Sequence, residues 1–138
     1  MYEDPLETLP VLLASGVSFL ARTSSLDLEE MTGLLIDGIR HPGFALVYIL
    51  TPCVTYPFLT PQDLRRLLRP LPADHDPRDR AQALRAGFCR DPLYTGIFFR
   101  ERRPTLEERQ RGERERARQE AGIGEGGLPM AGLLERFA

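Results

Sequence analysis

Cys53 and Cys89 are the two side chains of this 138-residue sequence best suited to metal or redox chemistry. Cys53 ends an apolar run, GFALVYILTPCVTY from Gly43 to Tyr56, wedged between Pro52 and Val54. Two readings are open for it. A cysteine that follows such a run can be a small buried packing residue. It also stands just past the carboxyl end of a candidate strand, where open α/β sheets bind their ligands. A single thiolate holds no iron–sulfur cluster, which takes four ligands, and Cys89 is the other cysteine of the sequence. His41, Asp74, His75 and Asp76 are metal-ligand types as well, but DHDP matches a helix-capping turn and His41 before Pro42 suits a helix end. There is no lysine for Schiff-base chemistry. No GxxxxGK loop, GxGxxG turn or HExxH motif occurs, and no serine pairs with a recognisable histidine and acid, which argues against an independent hydrolase.

The elements that must position these residues alternate in type. DPLETLPVLLAS, Asp4 to Ser15, is helical in pattern, with Pro10 marking a kink or the true start and Gly16 the break. VSFLA, Val17 to Ala21, reads as a short buried strand, and RTSSLD as a loop. Asp27 with Glu30 makes a capping-box pattern, and Leu28, Met31, Leu34, Leu35 and Ile39 then recur at helical spacing. RHPG stops that helix, and FALVYIL suits a parallel strand buried on both faces. Helix, strand, helix, strand argues for an α/β layer with right-handed crossovers, and two strands need something more to complete their sheet. Thr60 and Pro61 open a short helix that stops before Pro70. Another begins with Asp76 as cap, Pro77 next and Asp79 in its first turn, and TGIFFR, Thr95 to Arg100, is the last strand. A charged helix follows Pro104, then a flexible GIGEGG and the short apolar tail LPMAGLLERFA.

At 42% hydrophobic the chain can build one core, and no apolar run reaches the roughly 20 residues of a membrane-spanning helix. The acidic start MYEDPLETLP is unlike a signal peptide, and two cysteines are too few for a secreted disulfide framework, so a cytoplasmic location with no membrane partner is expected. All 18 basic residues are arginine, many of them between Arg100 and Arg118, yet the net charge is -2. Because ERRPTLEERQRGERERARQE interleaves Glu with Arg, a solvated, salt-bridged helix is expected and nucleic acid is not.

These residues together resemble the C-terminal part of the beta subunit of 2-oxoacid:ferredoxin oxidoreductases, the 2-oxoglutarate type above all. LASGVSFLAR is similar to the strand that follows that family's thiamine diphosphate site. IRHPGFALVYILTPCVTY is similar to its signature of GF, apolar strand and PCVTF, and HDPRDRAQAL and GIFFRERRPTLEER match later segments in order. The resemblance spans roughly residues 6 to 109.

The resemblance implies an α/β fold: the C-terminal piece of a thiamine-diphosphate-binding α/β domain over residues 1–52, a small, mostly helical C-terminal domain of the beta subunit over 53–103, and a charged helix and tail over 104–138. It implies an assembly holding thiamine diphosphate, magnesium and a four-iron cluster, with Cys53 as the cluster's fourth ligand. The implied partners are an alpha subunit, a chain supplying the thiamine-diphosphate site, ferredoxin, coenzyme A and a 2-oxoacid. The family's other three cysteines and its GDG motif are expected before residue 1, so the isolated chain is expected to bind no cofactor and to act only in assembly. Pro57 stands where that family has an asparagine, and Cys89 has no counterpart and is taken as structural. The other reading is a catalytically inactive remnant, a small α/β module that binds an alpha subunit or itself.

Overall fold

A computed structural model describes residues 6–55 and 59–122. The chain divides into two compact units, Met1–Arg103 and Pro104–Ala138. In the first, α1 (Thr8–Ala14), β1 (Phe19–Ser24), α2 (Leu28–Arg40), β2 (Ala45–Leu50), α3 (Pro61–Leu67), β3 (Leu68–Pro70), α4 (Arg80–Phe88) and β4 (Leu93–Arg100) follow in order. They build one four-stranded mixed sheet in the order β2-β1-β4-β3. β1 runs parallel to β2, from Phe19 opposite Ala45 to Ser24 opposite Leu50, and antiparallel to β4. The sheet thus takes strands from both sides of residue 52.

α1 and α4 cover one face, where Leu9, Leu13, Val17, Leu20, Ala83, Phe98 and Phe99 form the larger core. α2 covers the other, its Leu34 packing with Phe19 and Ala21. Burying each large side chain such as Leu13, Phe19 or Phe98 contributes about 1.5–3 kcal/mol. The register between β1 and β4 slips between Leu20 and Ala21, Leu20 facing Phe99 and Ala21 facing Ile97. This bulge lets the neighbours Phe98 and Phe99 join the same cluster, which strict alternation would forbid.

Several expectations change. β1 is buried at every position and runs on through Arg22, Thr23 and Ser24, which the sequence pattern makes a loop. Each finds a partner inside the fold: Arg22 Nε donates to the Tyr94 carbonyl at 2.6 Å, Thr23 Oγ1 to Glu30 Oε2 at 2.7 Å, and Ser24 Oγ accepts from Leu26 N–H. Half of the expected capping box at α2 forms, since Asp27 accepts from Glu30 N–H while the Glu30 carboxylate turns to Thr23. Asp79, rather than Asp76, caps α4, accepting from the N–H groups of Ala81 and Gln82. Asp76 instead closes the preceding turn by accepting from Arg78 N–H. β2 is a strand parallel to β1, as its apolar run implies, but it lies half-buried at the sheet edge rather than covered on both sides. The helix opened by Thr60 stops at Leu67, because Leu68–Pro70 pair with β4 as the other edge.

The second unit holds α5 (Leu106–Glu120), with a capping box between Thr105 and Glu108 and no buried residue. Its charged, solvated character is that of its sequence. GIGEGG beyond Gly122, the apolar tail and Pro57 lie outside the described residues. Among the described residues no helix is long and apolar enough to cross a membrane.

Candidate functional site

β2 is aimed by what holds its start. Gly43 takes a φ of +120°, open to glycine and costly to other residues, and turns the chain after Pro42. Ser18, fully buried, then ties the strand in: its N–H and its Oγ both reach the Phe44 carbonyl at 3.0 Å, and its own carbonyl accepts from Glu101 N–H at 2.7 Å. His41, the C-cap of α2, places Nε2 3.1 Å from Ser18 Oγ and its ring 5.3 Å from that of Phe19. Burial, and then the charge of Arg100, hold the His41 imidazole below its ordinary value, so it is neutral at pH 7.

From Leu50 the chain leaves the sheet through Thr51 and Pro52 to Cys53, in the loop between β2 and α3. Cys53 is exposed, and Val54 beside it is 97% exposed. The buried-packing reading of Cys53 therefore does not describe this chain. α3 resumes the fold with a full capping box, Thr60 Oγ1 donating to Asp63 Oδ2 at 2.6 Å and accepting from Asp63 N–H at 3.1 Å. That hydroxyl, with the Thr60 N–H, holds the Asp63 carboxyl below the usual carboxylate range.

Among the described residues no group of three or more His, Cys, Asp or Glu side chains is placed to hold a metal ion. An exposed thiol is the right donor for an iron–sulfur cluster, but it is one ligand where four are needed, so the described chain does not by itself fit such a cluster. Cys89 lies elsewhere, half-buried at the C-cap of α4. His75 serves the fold, with Nε2 2.9 Å from the Phe98 carbonyl.

Two charged features escape a reading of the sequence. Arg22 is 5% exposed, lies 5.0 Å over the Phe98 ring and leaves Nη2 buried with no hydrogen-bond partner among the described residues. Burial pushes its guanidinium below the ordinary value. An arginine inside FLARTS was the available signal. The second is Glu101, whose carboxylate lies 2.8 Å from Arg103 Nη2 and 3.6 Å from Arg80 Nη2 in a cavity of about 870 Å³. Three of the arginines there are engaged in the fold: Arg80 also donates to the Leu13 carbonyl at 2.7 Å, Arg103 to that of Gly16 at 3.0 Å, and Arg100 pairs with Asp37 at 3.1 Å.

Residues 53–115 match the family model described as the C-terminal part of the pyruvate ferredoxin oxidoreductase beta subunit. The beta subunit of 2-oxoacid:ferredoxin oxidoreductase 1 from Aeropyrum pernix is 37% identical over 54 residues, which are 39% of this chain and 17% of that protein. The 2-oxoglutarate synthase subunit KorB of Archaeoglobus fulgidus is 27% identical over 67 residues, 49% of this chain and 25% of its own length. The solved 2-oxoglutarate:ferredoxin oxidoreductase of Magnetococcus marinus, with 2-oxoglutarate, coenzyme A and succinyl-CoA bound, superposes with a TM-score of 0.78 at 28% identity. That match covers 83% of this chain and 40% of the other, so the chain spans well under half the length of these relatives.

Proposed function

We propose that this chain, whose sequence and fold resemble the C-terminal part of the beta subunit of 2-oxoacid:ferredoxin oxidoreductases, serves as that part of such a subunit and acts within an assembly. The assembly would oxidatively decarboxylate a 2-oxoacid such as 2-oxoglutarate, join the acyl group to coenzyme A and pass two electrons to ferredoxin. Thiamine diphosphate, magnesium, a four-iron cluster and an alpha subunit belong to the assembly, the cofactors held largely by residues outside those described. The observation that carries this reading is Cys53: it opens the matched segment, follows a parallel strand and is exposed. In this reading it supplies one cluster ligand, and the remaining three come from outside the described residues.

This chain's own part is positioning. Gly43, Ser18 and the β1–β2 register fix where β2 ends, and the Thr60 capping box fixes where α3 begins, so the loop bearing Cys53 is held at both ends. The deciding experiment is anaerobic purification of the tagged chain from its own cells, with iron, sulfide and thiamine diphosphate quantified and co-purifying chains identified by mass. A thiamine-diphosphate-bearing partner and about four irons per complex, the iron lost in Cys53→Ser, support the reading. A chain that comes down alone and colourless overturns it. That outcome favours a non-catalytic α/β interaction module, a reading supported by the chain's own two-faced core around a four-stranded sheet.

A further inference from the structure

Five arginine side chains, Arg78, Arg80, Arg100, Arg102 and Arg103, line the cavity in which Glu101 lies. Two carboxylates answer them, Glu101 itself and Asp37, which pairs with Arg100. The balance differs from that of α5, where Glu and Arg alternate along the helix. A chain of net charge -2 here gathers an excess of guanidinium, and like charges brought together repel unless an anion lies among them.

The walls that carry these charges are fixed. Arg100 N–H donates to the Pro77 carbonyl at 2.8 Å and Glu101 N–H to that of Ser18 at 2.7 Å, so the end of β4 and the residue after it are tied to two other segments. Arg80 and Arg103 are each anchored through Nη1, to the Leu13 and Gly16 carbonyls, and turn Nη2 toward Glu101 Oε2, at 3.6 and 2.8 Å. One anionic oxygen is thus already seated between two guanidiniums held in place by the fold. Guanidiniums placed in this way bind carboxylate and phosphate oxygens through charge-assisted hydrogen bonds. Arg78 adds a guanidinium that makes no hydrogen bond or ion pair among the described residues. Phe99 also lines the cavity, but it is 3% exposed and Arg80 lies 4.1 Å over its ring, so recognition here is by charge rather than by stacking.

We propose that this cavity binds a diphosphate group, free or carried by a nucleotide, through Arg78, Arg80 and Arg103, with Glu101 as the internal anion that opposes it. Charge sets the class. Five guanidiniums against two carboxylates leave an excess of three. A phosphate group carries about 1.5–2 negative charges near pH 7, so two adjoining phosphates match that excess and one does not. The inference needs residues of this chain alone and stands apart from the assembly reading above.

The test titrates the full chain, expressed alone at low ionic strength, with inorganic pyrophosphate and with ADP by calorimetry, with adenosine and sulfate as controls. Both diphosphates are expected to bind with a Kd below about 1 mM, and adenosine and sulfate are not. Equal affinities assign the site to a free diphosphate and a preference of about tenfold for ADP to a nucleotide, and either supports the proposal. Arg78→Gln is expected to weaken pyrophosphate binding about tenfold by removing a charge-assisted bond, and Arg78→Lys to retain most of it. Glu101→Gln is expected to tighten binding, the opposite of what loss of a merely structural residue would do. Arg78 is exposed, so its replacements leave the core intact, which unchanged urea midpoints without ligand confirm. Pyrophosphate should also raise the urea midpoint of the unaltered chain, a readout that needs no variant. The proposal is overturned if neither diphosphate binds below about 1 mM, if sulfate binds as well as pyrophosphate, or if Arg78→Gln leaves the affinity unchanged. Binding of an acidic peptide in place of pyrophosphate also overturns it and assigns the arginines to a protein partner.

Discussion

Gly43→Ala is the sharpest probe of how the Cys53 loop is aimed. At φ +120° an alanine is strained, which costs roughly 1–3 kcal/mol. Its Cβ would lie 2.5 Å from Ser18 Oγ, a distance real Cβ atoms do not tolerate, so the hydroxyl must leave. Moving it breaks the bond to the Phe44 carbonyl and separates it from His41 Nε2, a further loss of about 1 kcal/mol. The expected total is about 2–4 kcal/mol. Ser18→Ala alone should cost about 1 kcal/mol, and Gly43→Ala in that background should cost about 1 kcal/mol less than in the wild type, because the clash is gone. Urea unfolding of the four proteins reads this directly, provided their m values agree. A cost below about 0.5 kcal/mol for Gly43→Ala, or an identical cost in both backgrounds, refutes the account of how β2 is anchored.

Asp27→Ala removes the acceptor for Glu30 N–H at the start of α2 and should cost about 1 kcal/mol in the same assay, whereas Asp27→Asn should cost less than half of that. His41 carries a pH signature. With its folded value below the ordinary 6.5 or so, the unfolded chain binds the proton first, so stability falls as pH drops from about 6.5 to the folded value and is flat beneath it. His41→Gln should remove that component from the difference in urea midpoint between pH 7.5 and 5.5, with Asp37, Arg40, Arg100 and Arg102, which line the same cavity, left in place. Arg22→Met removes a buried guanidinium whose Nη2 has no hydrogen-bond partner among the described residues and leaves the Tyr94 carbonyl without its donor. The two effects oppose, and the isolated chain should lose less than about 1 kcal/mol, against the 3–5 kcal/mol of breaking a buried ion pair. A loss above about 2 kcal/mol would show that the guanidinium itself holds the core together.

Most helix starts and turns were legible from local rules, although at α4 the Asp76-Pro77 pattern marks the turn before the helix and Asp79 is its cap. Thr60-Pro61 sets the start of α3, Asp27 the start of α2, and Pro42 and Gly43 the break before β2. What stayed hidden depends on partners far along the chain. Arg22 and Thr23 look like loop residues until Tyr94 and Glu30 accept hydrogen bonds from them. β3 is three residues long and exists because β4 pairs with it. At the candidate site, the position of Cys53 after a parallel strand could be read from the run before it, but its exposure could not, since burial is decided by what packs over a loop.

The order of the strands carries a consequence for synthesis. β1 is the central strand, yet its antiparallel neighbour β4 is the last strand of this unit to be made. While α2 and β2 emerge and close a local βαβ unit, one side of β1 has no ladder, and Phe98 and Phe99 have yet to reach the core. Pairing so distant in sequence closes late and slowly, because the long intervening loop must be ordered first. The nascent chain therefore leaves the central strand β1 open on one side until β4 arrives, after which only the outer strands β2 and β3 are edges; that earlier interval is the one in which a chaperone or an assembling partner has most to hold.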